Sequence, residues 1–411
     1  METSCACSRK SRRVEVAPPS QVRIGEEEVR EDRFSRFRLI PWWDQSKLRS
    51  AHVLVIGAGA LGNEILKNLV LLGFERIVVV DLDRIEESNL SRTILYRSDD
   101  VGSYKADVAA RSVRTLAPKA KVQPLVANVV QNCGLGLFAW SDVIIAGLDN
   151  REARLWINRC AWKVNKPWID GAIEGINGVA RVFIAGTAPC YECTLGEADW
   201  KLLEQRMSCN LLLREANTEG KVATTPTISS VIAGIEVQEA VKLLHRMPTL
   251  AGSGFVFEGL NHTSYKVDYT TNPDCMSHFT FENVAEVSQK SSEWTLEQLR
   301  QRGAHELGCE DVVVEFSRDV VQELECPECG TKEQVFAPVG SIRYEEGRCP
   351  RDGQMRVVKT IHSYSGGEDF GKRTLDKLGL PLFDVFSVRS AEAERAYLIA
   401  GDKRAVLGDA L

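Results

Sequence analysis

What this chain lacks narrows its role first. No apolar run among its 411 residues approaches the roughly 18 that cross a bilayer, because Lys67 interrupts the best candidate. A membrane partner is therefore not expected. A basic excess is missing too: 51 Lys and Arg against 57 Asp and Glu leave a net charge of -6. That gives no positive footprint for nucleic acid or an anionic surface. Residues 1–30 carry Arg9, Lys10, Arg12 and Arg13 without an apolar segment behind them. They do not read as a secretory signal and are expected to be a disordered leader. No internal repeat is visible. The expected location is cytoplasmic, and there twelve cysteines point to metal or catalysis before disulfides.

What is present reads as a chain able to bury a sizeable core, 44% hydrophobic and 26% charged, in two domains. Apolar strands near 53–56, 77–80, 122–126 and 143–146 alternate with helical segments near 61–72 and 105–116. This is the pattern of an α/β, Rossmann-like, mostly parallel sheet covered on both faces. Val179–Ala185 then reads as a strand leading into a turn at Cys190. Thr225-Pro226 opens a helix to about Leu244, with Ile228, Val231, Ile232, Ile235 and Leu243 as its apolar face. Strands near 254–259 and 264–268 follow. From about residue 280 the character changes: Ser288–Glu293 is polar, Thr295 and Gln298 form a capping box, and short strands are expected at 312–316, 383–388 and 396–399. The expected division is a first domain over 31–280 and a small α+β domain over 281–411.

His52 to Lys105 holds the densest chemistry. The strand HVLVI runs into the turn Gly57-Ala-Gly59-Ala-Leu-Gly62, a helix, and a second strand ending at Asp81. Glycines let backbone approach phosphate, and an acid about 20 residues on holds ribose hydroxyls. Taken alone, such a turn most often serves a dinucleotide. Asn89, Arg92 and Lys105 add an amide and two cations. Those suit a triphosphate, whose β and γ groups need neutralising while a nucleophile attacks the α phosphorus.

These residues, with RFSRF at 33–37, GAGALGNE at 57–64, NLSRTILY at 89–96, YKADVAA at 104–110 and GLDNREAR at 147–154, resemble one family over about residues 30–280. It is the ATP-dependent activating enzymes of E1-like, ThiF/MoeB type, in which the carboxyl terminus of a small β-grasp protein attacks ATP to give an acyl-adenylate and pyrophosphate. The resemblance implies a nucleotide site of Gly57, Gly59, Gly62, Asp81, Asp83, Asn89, Arg92, Lys105, Asp149 and Asn150. Asp81 would hold the ribose, Asn89, Arg92 and Lys105 the phosphates, and Asp149 magnesium. Arg36 would reach across a homodimer interface into the partner's site.

Cysteine spacing adds two metal candidates. Cys190 and Cys193 in PCYEC form the half-site of a tetrahedral zinc, and two pairs compete to complete it. Cys275 and His278 follow the 264–268 strand, where the family places its second half-site, so the resemblance implies zinc on Cys190, Cys193, Cys275 and His278. The histidine departs from the family's four cysteines. Cys326 and Cys329 in ECPECG would then form a second zinc site with Cys349 in RCPRDG and either Asp352 or His362.

Cys209 lies where enzymes similar to the NEDD8-activating type carry the thiol that takes the acyl group. Arg206, Arg214 and Lys221 are nearby cations able to favour its thiolate, although no histidine is close. The short span between Cys209 and Thr225 leaves no room for a large inserted catalytic domain, so the layout resembles a compact E1, like those of bacterial ubiquitin-like conjugation operons. The resemblance thus implies an enzyme that adenylates a ubiquitin-like protein, loads it on Cys209 and passes it to an E2-like conjugating enzyme. That partner would dock on a ubiquitin-fold domain formed by the last 130 residues. Two alternatives stand beside it. A sulfur-carrier adenylyltransferase needs no thioester, and no rhodanese-like cysteine loop is found. A non-enzymatic partner of another E1 fits poorly with a complete set from Arg36 to Asp149.

Overall fold

The computed structural model describes residues 31–187, 189–208 and 223–411; the expected leader and Cys209 lie outside them. Residues 31–43 belong to one compact unit and 44–411 form another. In the first, a short 3₁₀ turn, Phe37–Leu39, is braced by Phe37 against Trp43 at 4.9 Å between ring centres and by an Arg38–Asp32 ion pair of 3.0 Å.

The second unit begins with the short helix α1, Gln45–Ser50, and is built on two sheets. The first sheet contains β1 (His52–Ile56), β2 (Arg76–Val80), β3 (Lys121–Leu125), β4 (Val143–Gly147), β5 (Trp168–Glu174), β6 (Asn177–Phe183), β7 (Ser253–Glu258) and β8 (Thr263–Asp268). Its order is β3-β2-β1-β4-β5-β6-β7-β8. The first five strands run parallel, and β5 to β8 continue as antiparallel neighbours. β1, β2 and β4 are near-continuous apolar runs, as strands covered on both faces must be. The covering helices are α2 (Ala60–Leu72), α3 (Lys105–Leu116), α4 (Val129–Asn132), α5 (Leu135–Trp140), α6 (Arg151–Lys163), α7 (Glu197–Ser208) and α8 (Pro226–Leu244). Because β1 lies between β2 and β4, chain order reverses there. A crevice opens at such a point, beyond the carboxyl ends of the strands.

Helix α8 corrects the expected apolar face. Ile228 and Ile232 point inward, but Val231 is exposed and Ile235 only half-buried, while Glu236 and Glu239 are buried. Apolar residues lie on nearly every side of this helix, so periodicity alone could not choose which side packs.

The second sheet contains β9 (Val284–Val287), β10 (Val313–Glu325), β11 (Lys332–Pro338), β12 (Val357–Tyr364), β13 (Val385–Arg389) and β14 (Glu394–Ile399), with helices α9 (Leu296–Leu307) and α10 (Lys403–Leu407). Its order is β11-β10-β13-β14-β9, and β12 also pairs with β10. Helix α9 opens on the capping box: Gln298 N donates to Thr295 Oγ at 3.2 Å and Thr295 N to Gln298 Oε1 at 3.1 Å. Residues 269–283 join the sheets, yet one core runs across both. Phe383, Val385, Ala396, Leu398, Leu407 and Ala410 pack in the same cluster as Leu54, Ile56, Val78 and Ile144.

Candidate functional site

At the reversal point, the turn after β1 is shaped to receive an anion. Gly57 has φ +95°, and a side chain there would meet the Gly147 carbonyl at 2.5 Å. Gly62 packs on the Gly57 carbonyl and draws the start of α2 against the turn. Gly59 is the N-cap of α2 with no side-chain cap, and a Cβ built there meets nothing within 4 Å. The space beside Gly59 at the positive end of α2 is therefore open, a setting suited to phosphate.

Asp81, at the end of β2, is wired into this turn. Its carboxylate accepts from Ala58 N at 2.7 Å and Asp83 N at 2.8 Å. Burial pushes its carboxyl above the usual range, while Lys105 and the two amides pull the other way. Lys105 Nζ pairs with Asp83 Oδ2 at 2.8 Å, and Lys105 N donates to Asp83 O at 2.9 Å at the start of α3. Tyr96 OH donates to Ala58 O at 2.5 Å and Leu95 N to Asn63 Oδ1 at 2.9 Å, fastening the 89–96 segment to the same turn. Within that segment Asn89 is buried and its Oδ1 accepts from Glu86 N at 3.0 Å. Arg92 donates to Ser88 O at 2.8 Å and forms no carboxylate ion pair among the described residues. Asp83 and Lys105 are thus joined, and Asp81 is tied to both through the turn.

Asp149 is exposed after β4, and Asn150 caps α6 by accepting from Ala153 N at 2.7 Å. Arg154 was missed by sequence reasoning. Buried, it donates from Nε to Asp170 Oδ1 at 2.7 Å and from its terminal nitrogen to Leu148 O at 2.5 Å and Gly171 O at 3.0 Å. It fixes the turn that presents Asp149. Its sequence signal, an arginine within the GLDNREAR segment, was present but had been given no role. Arg36 is exposed in the 31–43 unit.

Cys190, Cys193, Cys275 and His278 lie together in one cluster. Cys190 Sγ lies 3.6 Å from Cys193 Sγ and 3.5 Å from Cys275 Sγ, and Cys193 Sγ lies 3.3 Å from His278 Nε2. All four ligand atoms fall within 4.8 Å of one another, a fit for tetrahedral zinc, whose sulfur ligands sit about 2.3 Å from the ion. The residues between the ligands clasp each other: Glu192 accepts from Ser277 Oγ and from Arg159 at 3.2 Å and 3.3 Å. His278 stacks on Trp162 at 4.6 Å. Cys326, Cys329 and Cys349 form a separate group with Asp352, and His362 is exposed on β12 outside it. Cys133 and Cys160 are buried, and burial pushes both thiols up to about 12, which leaves them as inert packing groups near neutral pH.

Residues 32–277 match the ThiF family. This chain belongs to the ThiF family. Among its relatives, the NEDD8-activating enzyme E1 catalytic subunit of Arabidopsis thaliana is 40% identical over 156 residues, covering 35% of this chain and 34% of that protein. The SAMP-activating enzyme E1 of Haloferax volcanii is 34% identical over 235 residues, 56% of this chain and 81% of the relative. A sulfur carrier protein adenylyltransferase of Thermus thermophilus is 31% identical, over 59% of this chain and 89% of its own. The chain therefore spans about a third of the length of the NEDD8-activating relative. A crystal structure of E. coli MccB with AMPCPP and MccA shares the fold, with TM-score 0.51 and 21% identity over 62% of this chain and 76% of that one. Among the described residues no helix is long and apolar enough to cross a membrane.

Proposed function

We propose that this ThiF-family chain adenylates the C-terminal carboxylate of a ubiquitin-like protein with ATP and magnesium. The observation that carries the reading is the uncapped start of α2 beside the linked Asp81, Asp83 and Lys105. The amides after Gly59 receive phosphate oxygens, Lys105 and Arg92 offset the negative charge that grows as the carboxylate attacks, and Asp81 accepts from ribose hydroxyls. Asn89 holds the segment that carries Arg92. Magnesium, bound through Asp149, would supply further charge neutralisation at the phosphates. Arg36 completes the site from a second copy of the chain.

The finer reading continues to a thioester on Cys209 and transfer to an E2-like enzyme docked on the second sheet. The NEDD8- and SAMP-activating relatives and the extra sheet after residue 280 favour it. The rival, sulfur-carrier activation without a thioester, is favoured by the Thermus thermophilus relative, most of whose length is covered. Pyrophosphate exchange and a non-reducing gel separate them. Lys105→Ala should lower ATP–pyrophosphate exchange about 100-fold or more, in the range for removing a charge that stabilises a transition state. Unchanged exchange would sink the site. Cys209→Ala should keep exchange and lose a thiol-sensitive adduct; a wild-type chain that exchanges but never forms an adduct with its acceptor would leave the sulfur-carrier reading.

A further inference from the structure

Residues 326–355 take no part in the nucleotide site, yet they hold the most regular small motif in the chain. β10 leads into the turn Cys326-Pro-Glu-Cys329-Gly330-Thr331, which opens β11. A second turn, Cys349-Pro-Arg-Asp352-Gly353-Gln354, is framed by an antiparallel bridge between Arg348 and Met355. The two are copies in backbone as well as in sequence. In the first, Gly330 N donates to Cys326 O at 3.0 Å and Cys326 N to Thr331 O at 2.9 Å. In the second, Gly353 N donates to Cys349 O at 2.9 Å and Cys349 N to Gln354 O at 2.7 Å. Gly330 and Gly353 both take left-handed backbone, φ +67° and +73°, so that each turn doubles back on itself.

The equivalence extends to the ligand atoms. Cys329 Sγ lies 3.1 Å from the hydroxyl of Thr331. Asp352 Oδ1 accepts from Gln354 N at 3.0 Å, the amide at the matching position of the second turn. Asp352 thus stands where a fourth cysteine would complete the repeat. Such contacts hold ligand atoms in place.

The turns face each other. Cys329 and Cys349 bring their sulfurs to 3.5 Å, Cys326 Sγ lies 3.3 Å from Asp352 Oδ2, and all four ligand atoms fall within 4.8 Å of one another. Sulfurs at 3.5 Å are not a disulfide, whose bond is about 2.05 Å, but they suit a tetrahedral ion with ligands about 2.0–2.3 Å away. Packing supplies an independent reason for a metal. At this end of the second sheet Val321, Leu324 and Ile342 form a small buried cluster separate from the main core, with partly buried neighbours such as Val335 and Met355 around it. Small excursions with so little core need a staple.

We propose that Cys326, Cys329, Cys349 and Asp352 hold a second zinc ion with three sulfur donors and one oxygen donor. Its role is structural: it fixes the two turns against each other and thereby the β10–β11–β12 ribbon. Cys329 and Asp352 are exposed, and the carboxylate is the hardest donor of the set, so this centre releases its ion to a chelator before the Cys190 centre does.

Metal analysis of the full chain, with chelator-release kinetics, tests the assignment independently of any adenylation assay. The wild type should carry two zinc ions per chain and release one faster. Cys349→Ser and Asp352→Ala should remove that faster ion and leave the other. Asp352→Cys should keep both and slow the faster release at least tenfold. Zinc content and release unchanged by Cys349→Ser and Asp352→Ala would overturn the proposal. So would a His362→Gln variant that loses the faster ion, or an Asp352→Cys variant that releases it at the wild-type rate. Loss of pyrophosphate exchange with metal content intact would count against the nucleotide reading alone.

Discussion

The two cysteine clusters use similar ligands for different structural jobs. The Cys190 cluster joins segments 85 residues apart and leans on Trp162 and the Glu192–Arg159–Ser277 clasp beside the main core. The Cys326 cluster joins turns 26 residues apart at the tip of a ribbon whose separate apolar cluster holds Val321, Leu324 and Ile342. Closing a chain costs entropy that rises with the logarithm of its length, so the longer closure removes about 1 kcal/mol more from the unfolded state. Sequence spacing alone made the two look equivalent. Depth and loop length distinguish a clamp on the whole unit from a clamp on one extension.

The largest expected effect that tests this contrast is Cys275→Ser. A structural zinc in a small domain contributes roughly 10–16 kcal/mol of apparent binding energy, and losing one thiolate should cost on the order of 5 kcal/mol of stability. Denaturant titration should show the whole 44–411 unit shifting together, and a midpoint near wild type would break the comparison. Cys349→Ser should cost less, about 1–3 kcal/mol, with hydrogen exchange accelerated in 326–355 and the first sheet still protected. Uniformly faster exchange would erase the distinction between clamp and extension.

Glu236 gives the smallest effect near pH 5 and serves as a control without thiols. Its carboxyl is fully buried against Gly171, both oxygens lack a hydrogen-bond partner, and burial pushes its pKa well above the usual range. A raised carboxyl pKa means that the folded state holds a proton the unfolded chain gives up. The Glu236 contribution to stability therefore falls as pH rises from about 4.5 toward the folded value, by up to about 1.4 kcal/mol per pH unit. Glu236→Gln should flatten that slope without altering zinc content. Identical pH profiles for variant and wild type would show that this carboxyl does not titrate in the window.

Strands β1, β2 and β4 were legible because strands covered on both faces are written as unbroken apolar runs, and the start of α2 because glycines leave a distinctive spacing. Helix α6 and strand β5 went unread, since ARLWINRC and WIDGAIE mix polar and apolar residues around Arg154 and Asp170. Those polar residues serve an internal ion pair that no local pattern announces. Strands β11 and β12 escaped for another reason: they are largely exposed and held by pairing to β10, so neither alternation nor an apolar run marks them. At the cysteine clusters, spacing marked the CxxC pairs and resemblance suggested Cys275 and His278, while only geometry groups Asp352 rather than His362 with Cys326, Cys329 and Cys349.

The single core shared by the two sheets decides how freely one can move against the other. Phe383, just before β13, and Leu398 of β14 pack against Gly136 in α5, and a side chain on Gly134 or Gly136 would strike the 382–383 backbone or Leu398. Arg318 of β10 reaches across to donate to Cys133 O at 2.6 Å. Interdigitation of this kind leaves no hinge or sliding plane at this seam, so the second sheet is carried by the first as part of one packed body.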